Sequence, residues 1–264
     1  MEPVTVVKIG GRVQSDPALA PALAELWRRR PGALVIVHGG GDEASALMRR
    51  LGQEPTFVGG RRVTSAADIE LLRMALSGSA NKRLVAALVS EGVRAVGVSG
   101  EDAGLLHARV TAGGALGQVG EPECDDPALL TQLLAGGFLP VVSPLARDAA
   151  APRPGGALNV NADDAAAALA AALGASELLL VSDVPAVLAG GRPILSLGAD
   201  EARALVATGV AAGGMAAKLE AALAALDAGV PRVRVGDLDL IAGAEGRGAA
   251  HASGTTISLE RSLA

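Results

Sequence analysis

Short runs of Val, Leu and Ile alternate along this chain with longer stretches in which apolar residues recur at helical spacing. Strands are predicted over residues 4–9, 33–38, 95–99, 138–142, 177–182 and 232–235. Most are apolar almost throughout rather than alternating, the pattern of strands covered on both faces. Helical patterns fill the intervals. The chain therefore reads as α/β, with an open, mainly parallel central sheet and helices on both faces.

The clearest helix is predicted over 66–88, where Leu72, Leu76, Ala80, Leu84 and Leu88 recur every four residues behind a Ser65-x-x-Asp68 start signal. At that spacing the stripe drifts round an ideal α-helix, so it can serve both the core and a partner subunit. Two stretches fall outside the strand-helix rhythm and read as β-hairpins. One is 56–64 around Gly59-Gly60 and the other is 107–120 around Gly113-Gly114. Both are expected as lid elements over a site. The second half restarts with the strand at 177, which places a division near Gly174 and gives lobes of 1–174 and 175–264.

Composition narrows the function. With 264 residues, 50% hydrophobic and 19% charged, the chain can bury a large core. No apolar run approaches the roughly 18 residues of a membrane span. The N-terminus passes from Met1 straight into a strand without the marks of a signal peptide, so a cytoplasmic location is expected. Cys124 has no second cysteine to pair with and sits among Glu123, Asp125 and Asp126, which disfavour its thiolate. A net charge of −5 and only Trp27, Phe57 and Phe138 as aromatics exclude a general nucleic-acid binder.

Candidate chemistry begins at Lys8-Ile9-Gly10-Gly11, a lysine at the carboxyl end of the first strand followed by two glycines. Ligands of open α/β sheets bind at that edge, and glycines let backbone N–H groups approach a phosphate. His38-Gly39-Gly40-Gly41 repeats the design on another strand, and two such turns make a cradle for a polyphosphate. Neither is a P-loop or a dinucleotide fingerprint. His38 reads as a hydrogen-bonded structural residue, and His107 and His251 show no partner cluster, so no metal ligands are assigned. Asn159-Val160-Asn161-Ala162-Asp163-Asp164 opens an alanine-rich helix with more polar side chains than capping needs. Gly213-Gly214-Met215 opens another, with Met215, Leu219, Ala222 and Leu226 on its buried face. Lys218 lies about 60° off that face and opposes the helix dipole, so stability alone does not account for it.

In this order, these segments resemble the amino-acid kinase family over essentially the whole chain. Gly60-Arg61-Arg62-Val63-Thr64, Ala80-Asn81-Lys82 and Asn159 to Asp163 are similar to the N-acetylglutamate kinases within it. The resemblance implies transfer of phosphate from ATP, with Mg²⁺, to the γ-carboxylate of N-acetyl-L-glutamate, the second step of arginine biosynthesis through acetylated intermediates. It assigns catalysis to Lys8 and Lys218, with Asp163 holding both in place. Gly10, Gly11 and Gly40 fall to the phosphates, and Gly40, Gly41, Arg62 and Asn159 to the acylated substrate. Ser182, Asp183, Gly213 and Met215 fall to the nucleotide. The lobe 1–174 would hold the acyl amino acid and 175–264 the nucleotide.

The resemblance also implies a homodimer. Arginine-inhibited hexamers of the family carry a helix before the first strand, whereas this sequence enters the strand by Val4, so an arginine-insensitive dimer is expected. Two other readings stay open. One is a sibling kinase acting on a carrier-linked aminoadipate or glutamate, for which Arg28 to Arg30, Arg49-Arg50 and Arg61-Arg62 are only scattered basic residues on an acidic chain. The other is a non-catalytic nucleotide or amino-acid sensor on the same fold.

Overall fold

The computed structural model describes residues 2–151, 156–243 and 253–259. In chain order its first strands are β1 (Thr5–Ile9), β2 (Leu34–His38), β3 (Phe57–Val58), β4 (Arg61–Arg62), β5 (Ala95–Ser99), β6 (His107–Val110), β7 (Val119–Glu123) and β8 (Leu139–Ser143). The remainder are β9 (Leu145–Asp148), β10 (Ala157–Val160), β11 (Glu177–Val181), β12 (Val187–Ala189), β13 (Arg192–Ile194), β14 (Ser196–Gly198), β15 (Val233–Gly236) and β16 (Thr255–Ser258). The helices are α1 (Leu19–Arg29), α2 (Gly41–Arg50), α3 (Ala66–Leu72), α4 (Asn81–Ser90) and α5 (Ala128–Ala135). They continue with α6 (Ala162–Ala172), α7 (Ala199–Ala207), α8 (Gly213–Asp227) and α9 (Asp239–Ala242).

All six strands predicted from apolar runs are present within a residue of their expected ends. They form the body of one eight-stranded sheet of order β14-β16-β15-β11-β1-β2-β8-β5. Every pairing in it is parallel except β15 with β16. Each residue of β1, β2, β8 and β11 is buried, which requires cover on both faces. Helices α6 and α8 pack on each other and on β11, while α1, α4 and α9 supply further cover. The expected division at 174 falls in the loop from α6 to β11, and the sheet itself runs unbroken from the first-half strand β1 to the second-half strand β11. Among the described residues no helix is long and apolar enough to cross a membrane.

The predicted 66–88 helix is one rod in three windings: α3, a π-helical stretch Arg73–Ala80, and α4. Ser65 and Asp68 form the expected capping box at its start. Leu72, Leu76, Ala80, Leu84 and Leu88 are all buried. A π turn takes in roughly one residue more than an α turn, so a four-residue step that overshoots in the α segments undershoots in the π segment. The two errors cancel. The stripe therefore stays on one face instead of drifting outward as expected, and the apolar residues left exposed on the rod are Met74 and Val89.

The first hairpin, β3–β4, pairs Phe57 with Arg62 around the two glycines, as read from the sequence. The second extends to Glu123 and does not stand free. Its strands β6 and β7 close with β9 and β10 into a small four-stranded barrel. That barrel carries Asn159 and Val119 toward the site.

Candidate active site

Parallel strands β1, β2 and β11 end side by side, and the turns that follow them meet. Gly39 N–H donates to Ile9 O at 2.8 Å and Gly10 N–H to Val181 O at 2.9 Å, which locks the three strand ends together. Gly40 has φ of 150°, and a Cβ there would stand 2.7 Å from Leu76 Cδ2, so the turn tolerates no side chain. The first N–H groups of α2 have no partner within the helix and open onto this edge.

Lys8 is 5% exposed and Asp163 4%. The Lys8 ammonium lies 2.8 Å from Asp163 Oδ1, and Lys218 Nζ donates to Asp163 Oδ2 at 3.2 Å. Asn161 caps α6 by accepting from Asp163 N–H at 2.7 Å, which fixes the carboxylate's backbone. The three side chains sum to one positive charge in a buried place. Burial first, and then the neighbouring Lys218, hold the Lys8 ammonium below the usual lysine range against the pull of Asp163. For Asp163 burial favours the neutral acid, but the two lysines together outweigh it and keep the carboxyl below its ordinary range. An anion brought between the lysines would relieve this imbalance.

Two cavities meet at that triad. One, of about 250 Å³, is lined by Lys8, Asp163, Arg62, Asn159, Leu76 and Phe57 among others, and suits a small acid with an apolar portion. Arg62 is 7% exposed. Its guanidinium donates to Gly41 O at 2.8 Å and Ser45 Oγ at 2.7 Å and stacks 4.8 Å from the Phe57 ring. Asn159 Nδ2 donates to Thr64 Oγ1 at 3.0 Å. The other cavity is lined by Lys8, Gly10, Gly11, Arg12, Ser182, Asp183, Gly214 and Lys218. Gly41 borders both.

Of the expected site residues, Lys8, Gly11, Gly40, Gly41, Arg62, Asn159 and Asp163 come together at the first cavity, and Gly10, Ser182 and Asp183 at the second. Gly213 lies on an adjoining groove with Lys218. Met215 packs against the core and lines neither cavity. Arg12 was not anticipated: it lies over the second cavity and donates to Asp183 at 2.8 Å. A cation directly after the glycine pair was the available signal.

His38 is structural, as expected. Its Nδ1–H donates to Gly39 O at 2.6 Å and its Nε2 accepts from Asn81 Nδ2 at 3.1 Å, and burial pushes the imidazole down to about 4. His107 does have partners, contrary to expectation. Cross-strand pairing of His107 with Glu123 brings its Nε2 within 3.3 Å of Glu123 Oε2 and 3.6 Å of Asp125 Oδ2. These donors lie within 4.8 Å of one another on the barrel and line neither cavity. His251 lies outside the described residues. The Cys124 thiol is pushed up to about 11, chiefly by burial, and is no nucleophile.

The family model described as the Amino acid kinase family matches residues 3–237. The chain belongs to the amino acid kinase family. An acetylglutamate kinase from Chloroflexus aurantiacus is 44% identical over 240 residues, covering 90% of this chain and 93% of that one. An acetylglutamate kinase from Roseiflexus sp. is 41% identical over 261 residues, covering 98% and 95%. Among solved structures, smu.665 from Streptococcus mutans UA159 superposes with a TM-score of 0.83 at 27% identity, over 98% of this chain and 100% of that one. Within this amino acid kinase the paired cavities and the shared lysines take on a definite sense.

Proposed function

We propose that this kinase transfers the γ-phosphoryl group of ATP to the side-chain carboxylate of N-acetyl-L-glutamate, giving an acyl phosphate and ADP in arginine biosynthesis through acetylated intermediates. The observation that carries the reading is the Lys8–Asp163–Lys218 triad at the junction of the two cavities. The acceptor follows from the acetylglutamate kinases of 44% and 41% identity that align end to end with the chain.

A glutamate side chain with a pKa near 4.3 is ionised at neutral pH and needs no general base. The obstacle is repulsion between two anions. Lys8 borders both cavities and would bridge acceptor and transferring phosphoryl; Lys218 borders the second and would neutralise the leaving side. Asp163 is held by both ammonium groups, so its task is to aim them rather than to take a proton. Gly10, Gly11, Gly40 and Gly41 would receive phosphate oxygens, with ATP arriving as its Mg²⁺ complex. The carboxylates beside the second cavity, Asp42 and Asp183, lie at its rim, which fits an ion held mainly by the phosphates.

Arg62 and Asn159 would recognise the α-carboxylate and the amide of the acceptor, against an apolar wall of Leu72 and Leu76. Ser182, Asp183 and Gly213 would flank the nucleotide, so the lobe 1–174 serves the acceptor and 175–264 the nucleotide. Exposed Met74 and Val89 on the long rod support a homodimer, and an ATP-fed biosynthetic step places the enzyme in the cytoplasm.

A coupled ADP-release assay tests the activity. Turnover with N-acetyl-L-glutamate should exceed that with N-acetyl-aminoadipate or free glutamate by at least tenfold. Equal rates, or none, would refute the assignment. Light scattering should give the mass of two chains.

A further inference from the structure

The hairpin β3–β4 forms one side of the acceptor cavity, through Phe57, Gly60, Arg61 and Arg62. Two-residue strands do not hold a hairpin by themselves, and Phe57 and Val58 are 50% and 59% exposed, so little apolar burial fastens it. Its base is tied to the barrel by Thr64 N–H to Leu116 O at 2.9 Å and Gln118 N–H to Thr64 O at 2.7 Å. On one flank Arg62 binds α2 through Gly41 O and Ser45 Oγ. Toward α6 it is Arg61 that crosses, with Nη2 3.2 Å from Asp164 Oδ2, a separation of 103 positions in sequence. The pair is largely sheltered, at 29% and 20% side-chain exposure. Asp164 follows Asp163 directly on the first turn of α6, so the hairpin is fastened to the element that aims both lysines. Arg61 also lines the groove that Gly213, Gly214 and Lys218 border, and so stands between acceptor and nucleotide sides.

We propose that the Arg61–Asp164 ion pair is a latch that holds the hairpin closed over the acceptor, with both members acting as positioning residues rather than in the phosphoryl transfer itself. The inference rests on the acceptor reading above. A latched hairpin keeps Arg62 and Phe57 in place and excludes water from the charged junction. An unlatched one makes the acceptor supply the cost of closing, which raises its KM and leaves the saturated rate largely alone.

The charges around Asp164 make the latch sensitive to acid. Arg61 faces it from the hairpin, Asp163 from its own helix, Glu220 from α8 and Glu121 from β7. Burial, reinforced by those three carboxylates and opposed by Arg61, pushes the Asp164 carboxyl up to about 6. Below that pH the acid is protonated and the latch is lost. Stability runs the other way, because a carboxyl raised above its unfolded value costs the fold least when neutral. Asp164→Asn should therefore be no less stable than wild type at pH 7 while binding acceptor less well.

The test is steady-state kinetics of the whole chain with N-acetyl-L-glutamate and ATP between pH 5 and 8. At pH 7.5, Arg61→Ala and Asp164→Asn should each raise acceptor KM roughly 5- to 10-fold, with kcat within about twofold and ATP KM unchanged. Arg61→Lys, which keeps the charge, should recover part of the loss. Wild-type KM should climb as pH falls through 6, and that of Asp164→Asn should stay flat. Unchanged KM in both variants, or a fall in kcat at constant KM, would overturn the latch. Asp164→Asn unfolding below the wild-type Tm at pH 7 would overturn it too, by making the pair a structural strut. A wild type inert toward the acetylated acid would instead refute the substrate reading, and would show before any variant is compared.

Discussion

The side chain of Asn81 fills the space that any side chain on Gly97 would need. A Cβ at Gly97 would stand 1.8 Å from Asn81 Oδ1 and 2.7 Å from Lys82 Nζ. Asn81 cannot swing aside, because its Nδ2 donates to Val141 O at 2.9 Å and lies 3.1 Å from His38 Nε2. Gly97→Ala should therefore lower stability by about 3 kcal/mol, at the upper end of overpacking costs. Adding Asn81→Ala relieves the collision, so the double variant should lose less than the sum of the two singles. Additive losses by urea denaturation would show that the two residues do not compete for one volume.

Lys218→Met should depress kcat about 100-fold with a much smaller change in either KM. Lys218 reaches the junction by donating to Asp163 and borders the second cavity, where charge grows as ADP leaves. Steady-state assays with both substrates varied decide it, and equal turnover would remove Lys218 from the chemistry.

Arg62→Lys should raise KM for the acetylated acid about tenfold while leaving that for ATP nearly unchanged. A lysine keeps the charge but loses the planar fork that meets Gly41 O and Ser45 Oγ together. A rise confined to the ATP KM would move Arg62 to the other substrate.

The pH dependence of stability should show two opposed slopes. His38 is held at about 4 against an ordinary 6.5, so between those values the unfolded chain takes up the proton and stability falls on acidification. Asp164 is held at about 6 against 3.8, so there the folded chain binds the proton and stability falls as pH rises. The two largely offset in wild type. Asp164→Asn should uncover the histidine slope, a loss on the order of 2–3 kcal/mol between pH 6.5 and 4.5. Urea unfolding over that range measures it, and coincident wild-type and variant profiles would mean that the two groups do not carry these shifts.

Much of this architecture was legible in the residues, for a physical reason. Strands covered on both faces must be apolar nearly throughout, so β1, β2, β8 and β11 announce themselves. Edge pieces such as β14 and β16 are short and carry Ser196, Thr255 and Ser258, which leaves no such run. The glycine turns and Lys8, Asp163 and Lys218 could be singled out because capping and solvation did not account for them. Their shared carboxylate could not, since it joins Lys218 to a residue 55 positions away. Asn81 stood out only by resemblance; the crossing from α4 to β2 and β8 supplies its cause. The π winding left no mark, because a slipped hydrogen bond changes rotation and not composition.

That winding gives the rod a reading frame. The part before it sets Leu72 and Leu76 in the wall of the acceptor cavity, and the part after it sets Asn81, Leu84 and Leu88 in the interior. Removing one residue from Arg73–Ala80 would return the segment to α winding and turn everything beyond it by roughly 100°. Asn81 would then leave His38 and Val141, and the two leucines would rotate toward solvent. Exposed positions such as Met74 and Ser79 can change identity freely, yet the chain cannot be shortened or lengthened by one between them without breaking the register that joins pocket to core.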